Sequence, residues 1–296
     1  MWIKKFILII KNALDAVFVS LNALQRLYRQ FFKEVLFLKI KNFFRAESLK
    51  DAYEALTNGG TILGGGAFLH LLDNEVEIAV DLSRLNLNYI LEKEDVIEIG
   101  SYTTLKEIED SSILSSYFNG ILSKAASVIA GVQVRNIATI GGCIGGCYGF
   151  SDILTCLLAL DAKVQLYNRG IVSMEEFIEN KDTKDIIVKV IIKKDEKKAS
   201  FLSMRNSYTD FSMLNVAVSN LKGGIKIAVG ARPLVASYAY KAMDYLKENG
   251  LNDETIKRAG EIARDTLNFG SDIRASSEYR KELCSVLVRR GLEEVI

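Results

Sequence analysis

Apolar and polar positions change rhythm repeatedly along the chain, and the rhythm divides it into short strands and helices. "LKDAYEALTNG" carries apolar residues at helical spacing behind Ser48, which predicts a capped helix ending at Gly59-Gly60. "TIL" at 61–63 predicts a short buried strand running into Gly64-Gly65-Gly66. "EVEIAVDLS" and "DVIEIGS" predict strands by alternation and β-branched content. Thr104 predicts the cap of a helix over "LKEIEDSSIL", and "GILSKAASVIAG" predicts another. "SDILTCLLALDA" reads as an apolar helix and "KVQLYN" as the strand after it. Near residue 195 the composition shifts at "KKDEKK", the expected domain boundary. Beyond it lie "ASFLSMRNS" and the hairpin "MLNVAVSNLKGGIKIAVGA", turning around Lys222-Gly223-Gly224, then three closing helices. The order is mixed, without a regular βαβ rhythm or an internal repeat, so the expected class is α+β.

Residues 1–37 follow a different pattern: two acidic residues, no glycine, and apolar positions at Phe6, Ile9, Ala13, Val17, Leu21 and Leu24. Lys11-Asn12 interrupts the apolar run, and no small-residue cleavage site follows, which speaks against a signal peptide. With Asp15 the same residues break any membrane span. Two readings stay open. One is a basic amphipathic helix for a membrane surface or a partner. The other, which is the expectation, is an artefact of start-site assignment. Codons for Lys33-Glu34-Val35 can form a ribosome-binding sequence, which would place the natural start at Leu38. The coding DNA decides between them. The remaining chain divides into expected domains at 38–195 and 196–296.

Charge and composition narrow the chemistry. With 38 basic against 37 acidic residues, nothing draws the chain to nucleic acid, and no membrane association is expected. The single histidine, His70, leaves almost no room for a Ser-His-Asp or Cys-His centre. Cys143, Cys147, Cys156 and Cys284 form no CxxC pair, and Cys143/Cys147 would need two further ligands to close a metal site. No metal site is expected; Cys143 reads as a neutral loop residue and Cys156 as core. Reduced thiols and a cytoplasmic location are expected.

Two glycine clusters remain, "ILGGGAFLHLL" and "ATIGGCIGG". Glycine reaches positive φ and lacks a Cβ, so successive N–H groups can converge on one anion. Neither cluster fits GxGxxG or ends in GK[ST], and tight-turn packing explains either one equally well.

These segments, with "SDILTCLLALDAKVQLY", stand in the order and spacing of the FAD-binding subunits of molybdenum hydroxylases. "GARP" at 230–233 and "SDIRASSEYRKEL" at 271–283 resemble the small C-terminal domain of those flavoproteins. The resemblance runs from residue 38 to the end and implies a two-part FAD-binding domain plus a small α+β domain. It implies backbone donors to the FAD pyrophosphate at Gly64, Gly65, Gly66, Ala67 and Phe68. It implies a second loop at Thr139, Ile140, Gly141 and Gly142, with the Thr139 hydroxyl as an extra donor. Asp152 matches the family aspartate near the ribityl or isoalloxazine part, and Ile186 an aliphatic residue beside the flavin. Electrons would pass from an iron–sulfur subunit through FAD to NAD, while a molybdenum-cofactor subunit hydroxylates the substrate. No catalytic acid, base or nucleophile is then required here.

The chain also departs from the family. Ala67-Phe68 replace a polar pair, Cys143 stands where Asn is common, and "CYGF" replaces a Ser-Pro segment. Weaker or differently contacted FAD is therefore expected. A stand-alone flavin oxidoreductase and an FAD-free assembly module stay open as alternatives. Arg135 is read either as a pyrophosphate partner or as half of an ion pair, and Asp210 as a turn residue or a flavin contact.

Overall fold

Serine and threonine open the early helices by accepting hydrogen bonds from their first free N–H groups. The computed structural model describes residues 39–69 and 75–296, so the 1–37 segment and His70 lie outside the described residues. Strand β1 (Lys39–Arg45) precedes α1 (Leu49–Thr57), where the Asp51 N–H donates to the Ser48 hydroxyl at 3.1 Å. β2 (Thr61–Leu63) and β3 (Glu75–Asp81) pair in parallel within a sheet of order β1-β3-β2. Ala52, Leu56, Val80, Leu82, Leu87 and Ile186 pack into a small core there.

The middle of the chain forms a sheet of order β4-β5-β8-β6-β7 with antiparallel pairing throughout. Its first strands are β4 (Ile90–Glu92) and β5 (Val96–Gly100). Then come α2 (Leu105–Asp110), α3 (Ser112–Ser116), α4 (Ile121–Ser127) and α5 (Val132–Arg135). The one helix expected after Thr104 is thus two. Ser111 adopts extended backbone and accepts from the Leu114 N–H, so it caps a new helix instead of continuing the old one. Next are α6 (Ile140–Gly145) and α7 (Asp152–Ala159). β6 (Lys163–Leu166), β7 (Gly170–Ser173), α8 (Met174–Glu179) and β8 (Ile187–Lys193) complete this part.

The last part is a sheet of order β12-β11-β10-β9, from β9 (Ala199–Met204), β10 (Leu214–Leu221), β11 (Gly224–Gly230) and β12 (Ser237–Tyr238). Leu221 pairs with Gly224, which leaves Lys222-Gly223 as a two-residue turn. Helices α9 (Tyr240–Asn249), α10 (Asp253–Thr266) and α11 (Ser277–Glu294) cover one face. Leu214, Val216 and Val218 of β10 point into that helical core, and Ala217 points the other way into the main core.

Every residue of α7 is buried, which explains why it reads as apolar all round. Burying Ile153, Leu154, Leu157 and Leu158 stabilises the fold by roughly 1.5–3 kcal/mol each. The polar face of β10 locks onto this helix: Thr155 Oγ1 meets Asn215 Oδ1 at 2.9 Å, and the Ser219 hydroxyl donates to Ala159 O. Ile40–Phe68 and Val76–Ile296 form one compact unit, in which the class is α+β, as the element order predicts.

Candidate functional site

The two glycine clusters, far apart in sequence, come together backbone against backbone. After β2, Gly65 (φ +79°) and Gly66 (φ +74°) take left-handed conformations that side-chain-bearing residues rarely adopt. A Cβ on Gly65 would lie 1.6 Å from the Ile137 carbonyl oxygen. A Cβ on Gly64 would lie 2.9 Å from Thr139 Oγ1 and 3.1 Å from Gly142 Cα. The Thr139 hydroxyl donates to Gly64 O at 3.0 Å and accepts from the Gly142 N–H at 3.1 Å. That one side chain both caps α6 and joins the two turns.

Their N–H groups have different fates. The second cluster is the first turn of α6 and not the loop that its glycines suggest. Its Ile140 and Gly141 N–H groups donate to Thr103 O (2.9 Å) and Ser101 O (2.8 Å), and Gly142 donates to Thr139. Among the described residues, the Gly65, Ala67 and Phe68 N–H groups donate to no acceptor. Ala67 is buried, and the Phe68 ring packs against Tyr148 and Phe150.

Asp152 is 4% exposed at the start of α7. Its Oδ1 accepts from the Ser212 hydroxyl (2.8 Å) and Asn215 Nδ2 (2.7 Å), and its Oδ2 accepts from Arg205 Nη2 (2.5 Å). Arg205 also donates to Asp210 O at 2.7 Å, in the turn before β10. Oxygens buried this deeply need hydrogen-bond donors to offset their lost hydration. Asp152 thereby ties α7 to the C-terminal sheet. Arg205, Ser212 and Asn215 escaped the sequence reading. The available signal was an acidic residue inside an otherwise apolar helix, which demands partners.

Ile186 lies in the small core with Val80 and Leu82. Its neighbour Ile187 comes instead to the α6 side, with Cδ1 3.3 Å from where a Cβ on Gly145 would sit. Arg135 is the ion-pair partner of the two alternatives: Nε donates to Glu109 Oε2 at 2.9 Å and Nη1 to Ala130 O at 2.8 Å. The Cys143 thiol is pushed up to about 12 by burial, with the Asp152 charge adding to it, so it stays protonated at neutral pH. Burial raises Cys147 as well. Among the described residues no group of three or more His, Cys, Asp or Glu could hold a metal ion. No helix among them is long and apolar enough to cross a membrane.

Residues 38–194 match the family model for the FAD binding domain in molybdopterin dehydrogenase, and residues 199–295 match that for the CO dehydrogenase flavoprotein C-terminal domain. The glyceraldehyde dehydrogenase medium chain of Sulfolobus acidocaldarius is 28% identical over 278 residues, which cover 86% of this chain and 98% of that one. The xanthine dehydrogenase FAD-binding subunit of Escherichia coli O157:H7 is 26% identical over 285 residues, covering 86% and 96%. Among solved structures, carbon monoxide dehydrogenase from Hydrogenophaga pseudoflava superposes with a TM-score of 0.78 at 22% identity, over 88% of this chain and 97% of that one. That likeness is one of fold.

The geometry suits the cofactor these matches describe. A pyrophosphate needs several backbone donors brought close together without side chains in the way. The left-handed Gly65-Gly66 turn is followed by unengaged N–H groups at Ala67 and Phe68. The chain belongs to the FAD-binding subunits of the molybdenum hydroxylases, and is an FAD-dependent oxidoreductase subunit.

Proposed function

We propose that the Gly64–Phe68 turn holds the FAD pyrophosphate and that the Thr139–Gly142 turn braces it from behind. The observation that carries this assignment is the set of open N–H groups at Gly65, Ala67 and Phe68 beside a second turn whose own N–H groups are engaged. The Thr139 hydroxyl keeps the first turn at a fixed height by holding Gly64 O. Asp152 and Arg205 hold the C-terminal sheet against α7, next to the turns. FAD supplies the redox chemistry when bound, and the chain's residues bind, orient and shield it.

The chain works within a heteromeric complex in this proposal. Electrons arrive from an iron–sulfur subunit, leave through FAD to NAD, and originate in a hydroxylation at a molybdenum-cofactor subunit. Relatives named as a medium chain and as an FAD-binding subunit support the assignment. The compartment is the cytoplasm, in keeping with four buried thiols that form no disulfide.

The test is to purify the full chain and record its visible spectrum, then to capture its partners from the native host. Flavin absorption and co-purification of iron–sulfur and molybdenum subunits are expected. Flavin without those partners turns the assignment to a stand-alone flavin oxidoreductase. A protein that stays colourless with added FAD leaves only an assembly module.

A further inference from the structure

The two most exposed large apolar side chains among the described residues are Ile273, 96% exposed, and Tyr208, 72% exposed. Single exposed apolar residues are ordinary, but these two belong to one patch. Arg274, next to Ile273, places its guanidinium 5.0 Å over the Phe211 ring and its Nε 3.7 Å from Asp210 Oδ1, in the turn that carries Tyr208. Leu234, 49% exposed, adds to the patch from the loop after β11. Its neighbour Pro233 meets the Ile273 loop, with Cδ 2.8 Å from where a Cβ on Gly270 would sit.

The loop that presents Ile273 is tied down on both sides. The fully buried Arg280 donates to Gly270 O and Ala275 O, both at 2.8 Å, and to Asp272 Oδ1 at 2.6 Å. That same Asp272 oxygen accepts from the Arg274 N–H at 2.8 Å and the Ala275 N–H at 3.2 Å. From the other side, the buried Arg232 donates to Asn268 O at 2.8 Å, and the Gly270 N–H donates back to Arg232 O at 2.6 Å. Ordering a surface loop costs conformational entropy, and an apolar tip left in water recovers none of it. A tip that is already ordered loses little further freedom when a partner covers it.

Location selects the partner. The Phe211 ring under Arg274 is 6.3 Å from the Phe68 ring, and Phe68 ends the proposed pyrophosphate turn. The patch therefore borders the proposed FAD site. A subunit that passes electrons to FAD has to dock beside it, whereas a subunit that only holds substrate does not. We propose that Ile273, Tyr208 and Leu234 anchor the iron–sulfur subunit, an assignment that rests on the heteromeric complex proposed above. Ile273 enters an apolar pocket of that subunit. Tyr208 contributes a ring and a hydroxyl that bonds to nothing among the described residues, and Leu234 covers the rim.

The test titrates the FAD-loaded full chain with the iron–sulfur subunit that co-purifies from the native host. Wild type is compared with Ile273→Ala, Ile273→Asp, Tyr208→Ala and Ile171→Ala. Ile273 is almost fully exposed, so its replacement leaves the fold intact, and Ile171 on β7 is an exposed apolar control from a different sheet. Ile273→Ala and Tyr208→Ala should each weaken the complex about tenfold. Ile273→Asp, which forces a charge into the pocket, should weaken it about a hundredfold. Ile171→Ala should stay within about twofold of wild type, and the flavin spectrum should be the same in every variant. Affinities within about twofold for both Ile273 variants overturn the proposal and leave the complex standing. An equal loss in Ile171→Ala overturns it too, since the patch would then not be special. Loss of bound flavin in the Ile273 variants assigns the patch to the cofactor and overturns the proposal. Dissociation of a wild-type dimer by Ile273→Asp, with iron–sulfur binding unchanged, assigns the patch to a second copy and also overturns it. A wild-type chain that binds FAD but captures no iron–sulfur subunit overturns the complex itself, and this proposal with it.

Discussion

The two glycine turns are alike in composition and opposite in what their backbones do. In the first, Gly65 and Gly66 need positive φ, and neighbouring N–H groups are left open. In the second, Gly141 and Gly142 are helical, and their N–H groups are engaged with Ser101 O and Thr139 Oγ1. A Cβ on Gly141 would lie 2.6 Å from the Ser101 carbonyl oxygen, and one on Gly142 would lie 2.9 Å from Gly64 O. Glycine is needed in one turn for its conformation and in the other for its missing side chain. In the proposed site, the first turn receives the ligand and the second supports it.

This contrast is most directly broken at Gly65. Gly65→Ala combines a left-handed backbone with a clash against Ile137 O, and should lower the unfolding free energy by about 3–4 kcal/mol. It should also abolish the flavin spectrum of the purified chain. Urea titration and absorbance check the two effects separately.

Removing the link between the turns comes next. Thr139→Val deletes the helix cap and the bond to Gly64 O, and is expected to be destabilising by about 2 kcal/mol. Thr139→Ser keeps the hydroxyl and should recover most of that in the same titration.

Acid sharpens the contrast from the side of the first turn. Asp81 on β3 stands opposite Leu63, immediately before Gly64. Burial pushes its carboxyl up, but the Ser83 N–H, the Arg45 guanidinium and the Ser83 and Tyr102 hydroxyls outweigh that and hold it below the usual value. A carboxylate lowered in the folded state stabilises fully above its unfolded value of about 3.9. That stabilisation disappears as pH falls through the lower native value. Asp81→Asn should therefore be destabilising by about 1.5 kcal/mol at neutral pH, and the gap to wild type should close below about pH 4. Thermal unfolding of both proteins between pH 7 and pH 2, a range of about five units spanning the usual carboxylate value, follows the closure.

Smaller effects separate the two needs for glycine. Gly66 has positive φ but open space where a Cβ would go, so Gly66→Ala should be destabilising by only about 1 kcal/mol. Ser101 braces the second turn through its carbonyl, and its buried hydroxyl has no hydrogen-bond partner. Ser101→Ala should leave stability unchanged or raise it by up to about 1 kcal/mol. A loss of more than that in calorimetry would mean the hydroxyl is held by an ordered water.

Most local signals in the sequence were read correctly. Ser48, Thr104 and Ser151 cap the helices expected after them, and Lys222-Gly223 makes the expected hairpin turn. Two local signals misled. Ser111 resembled a mid-helix serine and is a second cap. Gly141-Gly142 resembled a loop and are helical, because Thr139 caps them and the Gly64 turn leaves no room for side chains. Arg135 had two readings from sequence, and only the placement of Glu109 chose between them.

The sequence by itself determined the order of elements and most of their caps. Each of those depends on interactions between residues a few positions apart, or on the allowed φ of one residue. The tertiary structure decided which glycine turn kept its N–H groups open, which donors surround Asp152, and which aromatic rings meet beside Phe68. Those outcomes depend on contacts between distant segments, and a buried polar or aromatic group acquires its partners only when the chain brings them together.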